Sequence, residues 1–319
     1  MVGRDWLLAA VVVALLGTAT AVGQIVQRQP QLGLNAAAIA TFNRRVRSWW
    51  IICALLAIAF FSPKLTVALF GLMSFWALRE FITLTPTRLS DHRALFWVFF
   101  FFTPLQYVLV AFGNYELYSI LIPVYAFLFI PARVALAGDF KRFLERVAKI
   151  QSGLLICVYC LSFAPALLYL NFEVGAGVDR HPATPSDKAR LLFFFVTMAL
   201  LSEAFQFVWS QLYGRHVIAP AINASRTWEG LVGGSASSAL AGMVLYWATP
   251  FYVWQAAFMS MIVAVMGFAG AMTMSAIKRD RGVRDYGTLV EGHGGVLDRI
   301  DAICFAAPVF YHVTRQILS

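Results

Sequence analysis

The chain has 319 residues, of which 60% are hydrophobic and only 13% are charged. Soluble domains carry about 25% charged residues, so this composition excludes a disordered chain, a secreted disulfide scaffold and an ordinary cytosolic enzyme. A bilayer removes the need to cover apolar surface with polar atoms, and the composition therefore indicates a polytopic membrane protein. The net charge of +9 is explained first by the positive-inside rule, so no nucleic-acid partner is expected.

Apolar segments that approach the roughly 20 residues of a membrane span recur from end to end. The pattern predicts an all-α polytopic membrane protein with about nine to ten transmembrane helices, since the second and fifth segments are short. Residues 1–190 are expected to hold about six of these helices, and 191–319 to form a C-terminal membrane core. The predicted helices are 6–26, 48–62, 65–84, 94–112, 117–133, 150–171, 191–209, 231–250, 254–277 and 300–317.

The first segment has two interpretations. Arg4, the apolar stretch and Ala19-Thr20-Ala21 are typical of a cleaved signal peptide. The charge distribution also fits a retained helix over 1–26, which is the interpretation we favour.

The basic residues are distributed unevenly between alternate loops. One side of the predicted membrane carries 19 of the 25 Lys and Arg residues, and the other side carries 6. Because the positive side faces the cytoplasm, the loops 210–230 and 278–299 are expected to be cytoplasmic, in a bacterial inner membrane.

The segment 139–149 alternates apolar and basic residues at helical spacing. It is either an interfacial helix facing anionic headgroups or an ordinary solvated loop.

One charged segment, residues 275–301, is suited to phosphate and metal chemistry. Bases hold phosphate oxygens, and carboxylates hold Mg²⁺. Asp298 and Asp301 lie three apart and share a helix face, while Gly294 and Gly295 beside His293 allow an anion to approach the backbone. Its charged residues are Lys278, Arg279, Asp280, Arg281, Arg284, Asp285, Glu291, Asp298, Arg299 and Asp301. The alternative is an ordinary solvated basic loop in which the acidic residues have no function.

A second polar segment, residues 214–234, offers Arg215, Arg226 and Thr227 as phosphate donors next to several glycines. Glu203 differs from both segments because it lies within the apolar run 191–209. An acidic residue within a membrane span usually faces a polar cavity and takes part in function. A hydrogen-bonded structural glutamate is the alternative.

The spacing of these residues resembles the signature of the phosphatidate cytidylyltransferase (CDP-diacylglycerol synthase) family. The matching positions are Ser275, Lys278-Arg279, Arg284-Asp285, His293-Gly294-Gly295 and Leu297-Asp298-Arg299-Ile300-Asp301. The second segment resembles the family's other cytosolic motif through Gly214-Arg215, Ala219-Pro220, Thr227-Trp228-Glu229-Gly230 and Gly233-Gly234. The specific match covers roughly residues 203–309.

This resemblance implies a nucleotidyltransferase that moves a cytidylyl group from CTP to phosphatidate, or to a related lipid phosphate, with Mg²⁺ as cofactor. Asp298, Asp301 and Glu203 would hold the metal. The implied catalytic residues are Asp298, Lys278, Arg279, Arg284 and His293, and the implied substrate-binding residues are Arg226, Thr227, Arg215, Gly294, Gly295 and Arg299. Membrane lipid is the further expected partner, and a homodimer is left open.

The chain departs from the family pattern at the metal site. Ala271 stands where a second metal-binding aspartate is expected, Met274 where an acid is usual, and Glu203 replaces an aspartate. A catalytically silent relative that binds lipid or nucleotide as a regulator is therefore the alternative function. A transporter fits less well, because the charges cluster on one side of the bilayer and do not line a path through it.

Overall fold

The computed structural model describes residues 62–84, 87–174, 181–283 and 295–318, together with isolated positions between 10 and 58. The chain divides into two compact units, Met1–Ser62 and Pro63–Ser319. In the first unit, Trp50 Nε1 donates a hydrogen bond of 3.1 Å to Thr20 Oγ1. Almost all residues of the predicted helices 6–26 and 48–62 lie outside the described residues. The prediction that the first segment is retained concerns the same residues. The division at residue 190 stays a prediction.

Eight long helices and one short hairpin form the described part of the second unit. The strands β1 (Glu173–Val174) and β2 (His181–Pro182) pair antiparallel between the fourth and fifth helices. The helices are α1 (Pro63–Thr83), α2 (Leu89–Ala111), α3 (Tyr115–Ala135), α4 (Phe143–Tyr169), α5 (Pro185–Tyr213), α6 (Trp228–Val244), α7 (Val253–Asp280) and α8 (Leu297–Leu318).

The all-α class is confirmed, but the predicted count of nine to ten spans is not. Six of the described helices, α1 to α5 and α7, are long and apolar enough to cross a membrane. Helix α6 has 17 residues, so it rises only about 26 Å, less than the roughly 30 Å hydrocarbon core. Helix α8 carries charged residues in its first two turns. Helix α4 begins at Phe143 and not at 150, because its amphipathic first turns are helical too.

Prolines account for irregular turns in three of the membrane helices. The π-helical segments Val98–Phe102, Leu121–Ala126 and Leu155–Cys160 lie in α2, α3 and α4. Each one contains a proline or is followed by one within five residues, namely Pro104, Pro123 and Pro165. Proline has no N–H to donate and its ring crowds the preceding turn, so the helix widens locally.

Glycines on α6 allow α5, α6 and α7 to pack closely. A Cβ added at Gly234 would lie 2.5 Å from Gln206 Cγ and 2.8 Å from Gln206 Cα on α5. On the opposite side, a Cβ at Gly242 would lie 2.7 Å from the carbonyl oxygen of Ala256 on α7. Small residues of this kind are typical of helix interfaces in membranes. The glycines Gly230, Gly233 and Gly234 therefore lie against α5, where an added Cβ would overlap Ser210, Trp209 or Gln206.

A buried polar network ties α2, α3, α4 and α8 together. Gln106 Nε2 donates to the carbonyl of Tyr118 and to Ser162 Oγ, both at 3.0 Å. The hydroxyl of Tyr118 in turn donates to the hydroxyl of Tyr311 at 2.7 Å. Polar atoms in an apolar interior are costly unless they are paired, so this network fixes the position of α8 relative to the preceding helices.

We expect Gly234→Ala to destabilise the protein. The new methyl group would overlap the α5 backbone, and overpacking of this kind costs about 1–3 kcal/mol. Gly17→Ala is the matched control, since Gly17 is also helical and no atom lies within 4 Å of its added Cβ. Thermal unfolding in detergent should show a lower Tm for Gly234→Ala and no decrease for Gly17→Ala. An undiminished Tm in the first variant would contradict the close α5 to α6 contact.

Candidate functional site

The start of helix α8 is held by a carboxylate from helix α1. Glu80 Oε1 accepts a hydrogen bond from the Val296 N–H at 3.0 Å, and Oε2 accepts one from the Leu297 N–H at 2.9 Å. Glu80 itself is only 4% exposed. A negative charge on the free amide groups of a helix N-terminus is favourable. Glu80 therefore fixes where α8 begins and where its first charged side chains project.

An ion pair links the end of α7 to the first turn of α8. Lys278 Nζ lies 2.7 Å from Asp298 Oδ1, and the Gly295 N–H donates to Asp298 Oδ2 at 3.1 Å. Both charged side chains are largely buried, at 21% and 15% exposure. Lys278 and Asp298 were both predicted for the site and are 20 residues apart in the sequence, and they are in direct contact. Both carboxylate oxygens of Asp298 have partners.

The other two predicted acids gather around Arg226. Arg226 Nη2 lies 3.7 Å from Glu203 Oε1, and Arg226 Nη1 donates to Gln206 Oε1 at 3.0 Å. Asp301, one turn after Asp298, interacts electrostatically with Glu203, Arg226 and Asp298. Acids and a base from α5, α8 and the 214–227 loop therefore form one charged cluster at the same end of the helices.

Helices α7 and α8 approach each other closely at Gly270. A Cβ added at Gly270 would lie 2.7 Å from the carbonyl oxygen of Asp301. The next residue, Ala271, is 4% exposed, and Met274 is 1% exposed. The two positions where the family resemblance led us to expect acids are therefore buried and apolar.

The 214–227 loop is docked on α7 by two polar contacts. Asn223 Nδ2 donates to Ser275 Oγ at 3.1 Å, and Arg279 Nε donates to the carbonyl of Ile222 at 3.2 Å. Ser275 Oγ donates to the carbonyl of Ala271 within its own helix at 2.7 Å. The two segments that the sequence singled out are thus adjacent in the structure.

Thr227 is the N-cap of α6. Its Oγ1 accepts a hydrogen bond from the Gly230 N–H at 3.1 Å and lies 3.1 Å from Ser210 Oγ on α5. This hydroxyl satisfies an amide at the start of the helix, as a threonine N-cap does. Thr227 is only 5% exposed, so in this arrangement its hydroxyl caps α6 and does not face solvent.

Glu229 holds the beginning of the same loop. Its carboxylate accepts from His216 Nδ1 at 2.6 Å and from the backbone N–H groups of Arg215 and His216 at 3.2 Å. These hydrogen bonds, that of the His216 side chain first, lower the pKa of Glu229 to about 2. Glu229 is therefore ionised at neutral pH. Arg215 contributes its backbone to this contact, and the residue is exposed.

The remaining predicted residues are placed as follows. Gly295 is buried and donates to Asp298, and Arg299 is partly buried in the first turn of α8. Arg284, His293 and Gly294 lie outside the described residues.

Magnesium prefers carboxylate oxygen ligands, and Glu203, Asp298 and Asp301 supply that chemistry within one electrostatically connected cluster. Asp298 is paired with Lys278 and Glu203 with Arg226, so a metal would share these two carboxylates with the bases. Among the residues that the structure describes, no three His, Cys, Asp or Glu side chains are arranged as a ligand set.

Sequence reasoning missed Glu80, Gln206 and Asn223 as parts of this site. For Glu80 a signal was present, because it is an acid within the predicted helix 65–84, as Glu203 is within 191–209. Asn223 lies within the polar segment 214–234 but was not predicted as a contact residue, and nothing in the sequence marks Gln206. Both roles depend on which elements face each other.

A family model and one relative match most of this chain, and two enzymes match less than half of it. The model of the cytidylyltransferase family matches residues 42–317. The uncharacterized protein YnbB of Escherichia coli K12 is 35% identical over 276 residues, which are 85% of this chain and 86% of that protein. The phosphatidate cytidylyltransferase of Staphylococcus haemolyticus is 30% identical over 138 residues, 43% of this chain and 53% of that protein. That of Mycobacterium leprae is 31% identical over 129 residues, 39% of this chain and 40% of that enzyme.

We expect Glu80→Ala to destabilise the protein by about 1.5–3 kcal/mol, the scale of hydrogen bonds to a charged group. The variant leaves the amide groups of Val296 and Leu297 without their acceptor. Glu80→Gln keeps one acceptor oxygen and should lose less. Thermal unfolding in detergent should give the highest Tm for the wild type, a lower Tm for Glu80→Gln and the lowest Tm for Glu80→Ala. Equal Tm values for the wild type and Glu80→Ala would refute the capping role.

Proposed function

The chain belongs to the cytidylyltransferase family, and we propose that it is a membrane-embedded enzyme that transfers CMP from CTP to phosphatidate or a related lipid phosphate. The products would be CDP-diacylglycerol and pyrophosphate. The observation that carries this proposal is the contact between the two signature segments, in which Asn223 donates to Ser275 and Arg279 donates to the carbonyl of Ile222. Charged pairs accompany this contact, since Lys278 pairs with Asp298 and Arg226 lies beside Glu203. We further propose that this end of the helices faces the cytoplasm, where CTP is available.

This reaction depends on charge neutralisation more than on covalent catalysis. An oxygen of the lipid phosphate attacks the α-phosphorus of CTP, a new P–O bond forms there, and the bond to pyrophosphate breaks. Both reactants are anions, so positioning and electrostatic stabilisation supply most of the catalysis. Arg226 and Lys278 are largely buried bases at the cluster, where their charges are less screened by water than at the surface. Arg279 and Arg299 follow Lys278 and Asp298 in the sequence and add to the positive charge of this segment.

The acids would bind the metal. Asp301 and Glu203, with Asp298, would hold Mg²⁺, which when bound supplies Lewis-acid polarisation of phosphate oxygens. Lys278 keeps Asp298 in place, and Glu80 keeps the first turn of α8 in place. The Arg226 to Gln206 hydrogen bond orients the guanidinium toward Glu203.

A second candidate function is a catalytically silent relative that binds lipid or nucleotide. The buried, apolar Ala271 and Met274 favour it, since neither offers an oxygen to a metal. Losing one of two metal-binding carboxylates removes several kcal/mol of transition-state stabilisation. The bases of the site would still bind phosphate groups.

Purified protein in detergent, given CTP, Mg²⁺ and phosphatidate, should release pyrophosphate and form CDP-diacylglycerol. Asp298→Asn should lower kcat/KM at least about 100-fold, the scale of removing one preorganised electrostatic group. Asp280→Asn is the matched control, because Asp280 is 69% exposed and pairs with Arg281 outside the cluster. Similar activity in both variants would show that the site is elsewhere. Silence of the wild type across several lipid phosphates, with CTP still bound, would favour the second candidate.

Ala271→Asp tests the metal site directly. The added carboxylate should raise kcat/KM and lower the Mg²⁺ concentration for half-maximal activity, whereas the neutral Ala271→Asn should do neither. The readout is CDP-diacylglycerol formed as a function of Mg²⁺. Activity that appears only in Ala271→Asp would identify the natural protein as a silent relative. Identical metal dependence in all three proteins would refute a role of position 271 in metal binding.

A further inference from the structure

A buried glutamine on α5 supports the side chain of Arg226. Gln206 is only 2% exposed. Its Oε1 accepts a hydrogen bond from Arg226 Nη1 at 3.0 Å, and its Nε2 donates to the carbonyl of Ala264 on α7 at 2.9 Å. A carbonyl can only accept and a guanidinium can only donate, so these two partners fix which end of the amide faces Arg226.

Helix packing fixes the stem of the same glutamine. A Cβ added at Gly234 on α6 would lie 2.5 Å from Gln206 Cγ, so α6 covers the stem while α7 binds the amide group. A side chain that is ordered on folding has little conformational freedom left to lose when a ligand binds. Gln206 is therefore a rigid support for arginine, which is a long and flexible side chain.

An aromatic ring of α7 gives Arg226 a second support. Arg226 Cζ lies 5.7 Å from the centroid of the Phe268 ring, within the roughly 6 Å range of a cation–π contact. Ala264 and Phe268 are four residues apart, so both supports lie on one face of α7. A planar guanidinium can use the Gln206 oxygen and the ring together, whereas the ammonium group of a lysine has no planar fork with which to do so.

The neutrality of Gln206 matters because acids already lie close to Arg226. Glu203 Oε1 lies 3.7 Å from Arg226 Nη2, and Asp301 interacts electrostatically with both residues. A carboxylate at position 206 would satisfy the same guanidinium N–H, but it would add a further acid beside the place where phosphate groups are expected, and like charges repel. The glutamine amide satisfies the N–H without that charge.

We propose that Gln206 is a positioning residue for nucleotide binding, which holds the Arg226 guanidinium in the orientation that binds a phosphate group of CTP. Gln206 acts through Arg226 and does not itself contact the nucleotide. The inference rests on the proposed function, because it concerns the same site. Nucleotide affinity and the coupling of two residues are separate measurements, so a failure of this role and a failure of the proposed function are distinguishable.

The affinity of the purified full chain for CTP tests this role. Binding is measured by isothermal titration calorimetry in detergent, with Mg²⁺ present and without a lipid phosphate, so that no CMP is transferred. Gln206→Met has nearly the same length and removes both hydrogen bonds of the amide. It should weaken CTP binding at least about tenfold, the affinity equivalent of one hydrogen bond to a charged group.

Gln106→Met is the matched control for lost stability. Gln106 is also a fully buried glutamine, its Nε2 donates to the Tyr118 carbonyl and to Ser162 Oγ, and neither partner belongs to the charged cluster. Both variants should lower the Tm, but Gln106→Met should bind CTP within about twofold of the wild type. Equal CTP affinities of the two variants would overturn the proposal.

A double-mutant cycle shows whether Gln206 acts through Arg226. Arg226→Lys should weaken CTP binding about tenfold when Gln206 is present and less than about threefold in Gln206→Met, because the support that distinguishes the two bases is then already lost. Equal effects of Arg226→Lys in the two backgrounds would overturn the positioning role alone, since the wild type would still bind CTP.

Gln206→Asn provides a milder variant for the same cycle. Its amide is one methylene shorter, so it cannot reach both Arg226 and Ala264, and it should weaken CTP binding with a smaller decrease in Tm than Gln206→Met. Wild-type affinity in a folded Gln206→Asn would contradict the positioning role. A wild type that binds no CTP would overturn this role together with the proposed function.

Discussion

The arrangement of the site depends on one capped helix terminus. Helix α8 starts inside a protein that is mostly apolar, where free amide groups are costly. The Glu80 carboxylate meets two of those amides. Since a helix rotates 100° per residue, fixing its first turn also fixes the directions of Asp298 and Asp301. A residue on α1, more than 200 positions earlier in the chain, thus determines the geometry of the signature segment.

The second constraint is that charges near a bilayer must be paired with one another. Lys278 meets Asp298, Arg226 meets Glu203, and Arg146 meets Asp91. Each pair joins two different helices or a helix and a loop, so the pairs also determine packing.

The sequence predicted those features that repeat along the chain. Apolar segments of span length locate α1 to α8, with ends that differ from the predicted ones by up to seven residues. Motif spacing identifies both polar segments. It did not predict how helices face one another. Glu80 binding to Leu297 and Gln206 binding to Arg226 are contacts between residues at unrelated sequence separations. The packing of Gly233 against Trp209 and of Gly234 against Gln206 was not predicted for the same reason, because those neighbours belong to another helix.

The residue at position 271 affects how much positive charge the cluster must hold. Counted as ionised, Glu203, Asp298 and Asp301 carry three negative charges, against the two positive charges of Lys278 and Arg226. One more carboxylate on α7 would add a fourth negative charge beside the close approach of Gly270 to Asp301, and uncompensated buried charge is strongly unfavourable. That site would need two further positive charges, which one divalent ion supplies. With alanine there, only one negative charge is in excess. Burial raises the pKa of Asp301 to about 8, so a proton on Asp301 is enough to balance the cluster when no cation is bound. The absence of a carboxylate at position 271 therefore lowers the demand of the cluster for a cation.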